Sequence, residues 1–335
     1  MKIEDEFVSF LGGRGVMSML FDNTKSQVLQ EKLVKSETFE AFQRVLRKAP
    51  KWIKRVKEHL QKDTDMNNVR SCLGELRAYG DLLLLPGYDI KPSSVNKGGA
   101  DFDLINKRTK QVLKVEVYTQ GPKPNCEMPS ERLISGESFE ERLITPLRNW
   151  AVDRAGDTTQ SRTIKNIAGA KKDAHQVDPN VPTYLYIDFQ TIWGFDCEQA
   201  LPILSQGEQL TSGACWMAFY GRKGMPILEN TRFGEPMGSL AEMTDDGLFF
   251  RSPTDWFAGA LLRSERKGEN PLVLLMNPTQ PISGELIVAL MQSGLLNIEK
   301  SCWDLNDLQS QVDGLNKKIK DIVSEFGRVQ NEMQK

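Results

Sequence analysis

The chain has 335 residues, 39% of them hydrophobic and 26% charged, with 43 basic side chains against 45 acidic ones and a formal net charge of −2. That length spans one large or two ordinary domains, and the apolar share is enough for a packed core, which excludes a disordered chain. No apolar run reaches the roughly 20 residues of a bilayer span, and MKIEDEFVSF lacks the basic-then-apolar order of a secretory signal, so a cytoplasmic protein with no membrane partner is expected.

Residues 1–65 read as helical. Apolar spacing runs through QVLQEKLVKSETFEAFQRVLRKA and breaks at Pro50, while GGRG (Gly12 to Gly15) is a turn without the lysine and serine or threonine of a phosphate-binding loop. From Arg44 to Lys62 the text is strongly basic, with Arg47, Lys48, Lys51, Lys54, Arg55 and Lys57 between them around Trp52 and Ile53. This is a basic amphipathic pattern, whose charged side is either a solvated face or a surface for a phosphate backbone. Helical periodicity over 67–85 stops at Pro86 and Gly87, and three strands follow: YDIKPSS, GADFDLI and VLKVEVYT, with NKRT as the turn between the last two.

After a polar loop over 120–160 come the helix RTIKNIAGAKKDAHQ and the apolar strand YLYIDF, a crossover that predicts a mixed α/β sheet flanked by helices. Residues 200–300 add helix-like EQALPILS, strand-like WMAFYG and PLVLLM, and the helix ELIVALMQSG; they are expected to extend or flank the same sheet. The predicted organisation is a helical region over 1–65, an α/β domain over 66–300 with its core at 66–190 and an extension at 191–300, and a helix over 301–335. In that last helix Leu305, Leu308, Val312, Leu315, Ile319, Ile322, Phe326, Val329 and Met333 alternate steps of three and four, a coiled-coil seam that predicts a homo-oligomer, in the first place a dimer. A long helix packed back on its own domain is the alternative, and Gly314 and Gly327 weaken the helix in either case.

The five cysteines, Cys72, Cys126, Cys197, Cys215 and Cys302, are scattered and never in a CxxC pair, so they read as reduced thiols. Only His59 and His175 are present, both in charged helix-like text, which rules out a three-histidine metal site. Chemistry therefore falls to carboxylates and lysines. Alternation along a strand turns Asp101 and Asp103 to one side of GADFDLI, and Lys114, Glu116 and Tyr118 to one side of LKVEVYT. Three carboxylates gathered from adjacent strands are the oxygen donors a small hard cation takes, and the same acids also suit the solvent face of an ordinary hairpin.

In its helix with a glutamate (LGELRAYGDLLLLPGYDI), its strand with an acidic motif (GGADFDLI) and its second acidic strand (VLKVEVYT), followed by helix and strand, the segment over 66–190 resembles the PD-(D/E)XK nuclease superfamily. The resemblance implies a restriction-endonuclease-like core and a nuclease hydrolysing the phosphodiester bonds of DNA, less readily RNA, with Mg²⁺ or Mn²⁺. It implies that Asp101 and Glu116 hold the metal, with Asp103 as the alternative first acid and Glu75 of the helix assisting. The family's lysine falls at Tyr118, so that group is displaced. Lys165 and Lys172, on one face of the 162–176 helix, and Lys171, among Ile164, Ile167 and Ala174, are its candidates, with Lys114 a fourth. Lys123, Arg132, Arg142, Arg148, Arg154 and Arg162, in or beside the 120–160 loop, are candidates for positioning substrate. A fold in which no lysine reaches the acids would be catalytically silent and serve binding or assembly, and an enzyme of small phosphate esters would need a closed pocket.

Overall fold

A computed structural model describes residues 3–11, 37–62, 66–93, 100–119, 164–165, 167–169, 180–189, 197–206, 209–228, 240–251, 257–264 and 270–333. Among the described residues, the first part of the chain holds the helices α1 (Ile3–Leu11), α2 (Glu37–Lys48), α3 (Pro50–Lys62) and α4 (Met66–Leu82). Glu37 and Glu40 in the first turn of α2 and Arg47 and Lys48 in its last complement the helix dipole. Pro50 opens α3, where its missing N–H forfeits no bond. Phe7, Phe10, Phe39, Phe42, Trp52, Ile53, Val56 and Leu60 all turn inward to the core that also covers the sheet, so the opening helices and the α/β region share one interior.

The main sheet has six strands in the order β1 (Tyr88–Pro92), β2 (Phe102–Asn106), β3 (Val112–Thr119), β4 (Thr183–Asp188), β9 (Phe257–Arg263) and β10 (Leu272–Met276). The first three form an antiparallel meander, β3, β4 and β9 run parallel, and β10 returns antiparallel. Two hairpins lie outside it in sequence between β4 and β9: β5 (Ile203–Gln206) with β6 (Gln209–Ser212), and β7 (Pro226–Leu228) with β8 (Leu240–Glu242). Strand alternation splits the interior into two cores. Leu104, Val115, Val117, Tyr184 and Tyr186 face α1 to α4 and α6 (Gly284–Gln292), whose N-cap Ser283 accepts the Leu286 amide at 3.3 Å. Leu185, Ile187, Ala260 and Leu275 face α5 (Ala214–Tyr220), the start of α7 (Leu305–Met333), and the helical residues 164–165 and 167–169.

Three expectations change. EQALPILS is a 3₁₀ turn at Cys197–Ala200 leading into β5, because Pro202 supplies no amide and disfavours helix at the residue before it. WMAFYG belongs to α5, a helix with every residue buried; an apolar run that is covered on all sides has no period to tell helix from strand. Phe257–Arg263, also buried throughout, is a sheet strand that the sequence text did not announce. The α7 seam divides. Leu308, Val312, Leu315 and Ile319 pack on the second core of their own domain, where Trp216 Nε1 also donates to Gln311 Oε1 at 2.7 Å. The side chains of Ile322, Phe326, Val329 and Met333 lie outside the described residues, as do Gly12 to Gly15, Cys126, His175 and the basic residues of the 120–160 loop. No described helix is long and apolar enough to cross a membrane.

Candidate active site

The β2–β3 ladder sets Phe102 opposite Val115 and Asp103 opposite Lys114. One step beyond Phe102 the regular ladder stops, and the Asp101 carboxylate takes over, with Oδ2 accepting the Val117 amide proton at 2.7 Å. It occupies the place of a strand carbonyl and thereby lies beside the peptide that joins Glu116 to Val117. Because Val115 and Val117 belong to the first core, Glu116 between them turns to the opposite face, where its parallel partner Leu185 sits in the second core. Glu116 is 3% exposed, a buried carboxylate in an otherwise apolar stretch of strand.

Asp103 shares that face but has other company. Ser93 Oγ donates to its Oδ1 at 3.1 Å, and it stands opposite Lys91 on β1 and Lys114 on β3. Among the described residues no group of three or more histidine, cysteine, aspartate or glutamate side chains is arranged to hold a metal ion. What the strand geometry brings together is the pair Asp101 and Glu116. A two-carboxylate set completed by water and substrate oxygens is within what Mg²⁺ accepts, so Asp101 and Glu116 have the donor chemistry for that ion.

The remaining candidates are spread out. Tyr118, at the position of the displaced lysine, packs on the second core, and burial raises its phenol above the ordinary value of 10.0, so it stays protonated. Lys114 lies on the acid face two residues before Glu116. Lys165 is exposed on a helical stretch whose Ile164, Ile167 and Ala168 are buried in the second core, the layer on the acid side of the sheet. Lys171 and Lys172 lie outside the described residues. Glu75 belongs to α4, whose buried side faces the first core, so its helix covers the sheet face opposite the acids. Its neighbour Gly74 abuts Thr119 and Asp188 at the carboxyl ends of β3 and β4.

Those strand ends carry a group that the sequence text did not reveal. Register aligns Thr119, Asp188 and Arg263 in a row across β3, β4 and β9. Arg77 Nε donates to Asp188 Oδ2 at 3.0 Å and its Nη1 to Thr38 Oγ1 at 3.3 Å. Arg263 donates from Nε to Asp81 Oδ2 at 2.7 Å, from Nη2 to Glu37 Oε2 at 2.8 Å and from Nη1 to the Ser264 carbonyl at 2.9 Å. The Tyr186 hydroxyl donates to the same Asp81 oxygen at 2.8 Å, and burial together with the Asp81 charge holds that phenol well above its usual range. Burial opposes the charge on Arg263, but its acidic neighbours, Asp81 foremost, more than offset this and keep it cationic. The group's one trace in the sequence is Asp188, a charge near the end of the apolar strand YLYIDF.

Comparison with protein-family models, with curated proteins and with solved structures gave no match.

Proposed function

We propose that this chain is a metal-dependent nuclease that hydrolyses phosphodiester bonds of DNA, or secondarily RNA, on a PD-(D/E)XK-like core. The observation that carries the reading is the Asp101–Val117 bond, which seats one carboxylate beside Glu116 at the open end of the β2–β3 ladder. The order of elements supports it too: helix α4, the β1–β2–β3 meander, a helical stretch, then β4 parallel to β3. In this reading Asp101 and Glu116 hold Mg²⁺ or Mn²⁺, which supplies polarisation of the phosphate and activation of water. Asp103 stands by, kept in place by Ser93 and flanked by Lys91 and Lys114. Lys114 and Lys165 are the described lysines on the acid side that are candidates to balance charge at the phosphate, with Lys171 and Lys172 beside them in sequence. Glu75 has a part only if it reaches round the strand ends where Gly74 meets Thr119. Pairing of two copies is proposed for the part of α7 beyond Ile319, since the seam before it packs on its own domain.

A second reading draws on two observations. Tyr118 stands where the lysine is expected, and no three-ligand group is found among the described residues. It makes the chain a catalytically silent nuclease-fold module for nucleic-acid binding or assembly. Titrating Mg²⁺ and Mn²⁺ into the protein with supercoiled, linear and single-stranded DNA and with RNA separates the two. Cutting that requires the metal and is lost in Glu116→Gln supports the nuclease; binding without cutting at any metal concentration supports the silent module.

A further inference from the structure

We infer that the outward face of α2 and α3 is a docking ridge for the phosphate backbone of duplex DNA; this rests on the nuclease reading and names a second surface, apart from the acids, that holds DNA. The chain as a whole is slightly acidic, at −2, yet these two helices present Arg47, Lys48, Lys51, Lys54, Arg55 and Lys62 to solvent, against Glu40 and Glu58 as their exposed acids. Two other basic residues of the stretch are turned to structural work and are not part of it. Arg44 Nε donates to the Gly80 carbonyl at 3.0 Å, and Lys57 Nζ donates to Ser9 Oγ at 2.7 Å. What remains is therefore a segregated positive stripe, the electrostatic footprint expected of a nucleic-acid surface.

The other side of α3 decides between partners. A basic amphipathic helix that lies on an anionic membrane must bury its apolar side in lipid. Here Trp52, Ile53, Val56 and Leu60 are between 0% and 7% exposed, sealed into the first core. The ridge can offer charge but no apolar insertion, which suits a polyanion with a regular charge spacing. At about 1.5 Å per residue α3 is roughly 20 Å long, and duplex DNA carries about one charge per 1.7 Å of axis, so the helix spans about a dozen phosphates. Trp52 also fixes where the ridge lies. Its ring meets Tyr79 edge-on at 5.3 Å and lies 6.4 Å from Phe102, the residue between Asp101 and Asp103. The ridge thus faces away from the acids, on the reverse of the sheet, and holds a stretch of duplex distinct from the one at the reacting phosphate.

Binding is accordingly separable from cutting. The test is fluorescence anisotropy of the full chain with a labelled duplex of about 30 base pairs in EDTA, across about 50 to 200 mM salt. Wild type, Lys51→Ala/Lys54→Ala/Arg55→Ala, and a control pair on α7, Lys317→Ala/Lys318→Ala, are compared, with vesicles of phosphatidylserine as a second probe. The triple variant is expected to bind about tenfold more weakly or worse at about 0.1 M salt and to lose about 3 from the slope of log affinity against log salt, while the control pair matches wild type. Equal slopes in triple variant and wild type, no duplex binding by wild type, or wild-type preference for the vesicles would each overturn the ridge. Because no metal is present, a failure of the nuclease reading shows separately, as duplex binding that is normal and ridge-dependent in a chain that never cuts.

Discussion

The Asp101 carboxylate and the Val117 amide are joined at 2.7 Å across the point where the β2–β3 ladder would otherwise end. One side chain thereby continues the end of the ladder and positions a carboxylate beside the Glu116–Val117 peptide. These two roles come apart chemically. An asparagine oxygen still accepts the Val117 proton but carries no charge, whereas alanine offers neither. Asp101→Asn is expected to unfold within about 1 kcal/mol of wild type, and Asp101→Ala to lose about 1–3 kcal/mol because a strand amide is left without its acceptor. Denaturant unfolding of the two variants checks this; equal losses would mean that the bond adds nothing to the strand end.

Helix α4 is held close to its neighbours by glycines. A Cβ on Gly74 would fall 1.8 Å from Thr119 Oγ1, and one on Gly80 would fall 2.5 Å from the Ala41 Cβ. Gly74→Ala and Gly80→Ala should each cost about 1–3 kcal/mol through forced displacement of packed elements. Gly314 in α7 has open space around it, so Gly314→Ala should stabilise by about 0.5–1 kcal/mol. Thermal melts of the three variants give the comparison, and a stabilised Gly74→Ala would contradict the close approach.

The Glu37 carboxyl is raised above its ordinary value of 4.5, chiefly by burial, which outweighs the attraction of Arg263. The folded chain therefore holds this proton more tightly than the unfolded one. Below 4.5 both states are protonated; as pH rises through the window above 4.5 the unfolded state ionises first, and stability falls until the folded group also ionises. Measured against Glu37→Gln, which cannot titrate, wild type should lose relative stability as pH rises through that window. A relative gain would show that Arg263 holds Glu37 ionised instead. Arg263→Met is a harsher change, since it strips buried Asp81 of its 2.7 Å partner, and should cost about 3–5 kcal/mol.

Along α7 the apolar seam has unequal value to a single chain. Leu315 is 1% exposed within the second core, while Leu305, in the same repeat, is 59% exposed. Leu315→Ala should lower stability by about 2–5 kcal/mol at any protein concentration, and Leu305→Ala should change it little. A Leu315→Ala effect that vanished on dilution would instead assign this half of the seam to pairing between chains.

The meander was legible because GADFDLI and VLKVEVYT alternate cleanly, and alternation alone fixes which acids share a face. That Asp101 bonds a backbone amide was not legible, because side chain to main chain contacts across strands leave no trace in spacing. Neither was the buried group of Arg77, Asp81, Asp188 and Arg263. On α4, Arg77 and Asp81 look like an ordinary surface pair four residues apart, and their partners lie 111 and 182 residues away along the chain. The buried segments Ala214–Tyr220 and Phe257–Arg263 defeat periodicity for a different reason, since an element covered on every side has no polar face to mark its repeat.

The central claim is that Asp101 and Glu116 together hold a divalent cation, and Mn²⁺ binding measured by calorimetry on wild type, Asp101→Asn and Glu116→Gln tests it without needing a substrate. The account predicts one Mn²⁺ site in wild type that is lost in both variants while their unfolding stays close to wild type. Binding that is equal in all three proteins, or no binding by wild type at millimolar Mn²⁺, would contradict it.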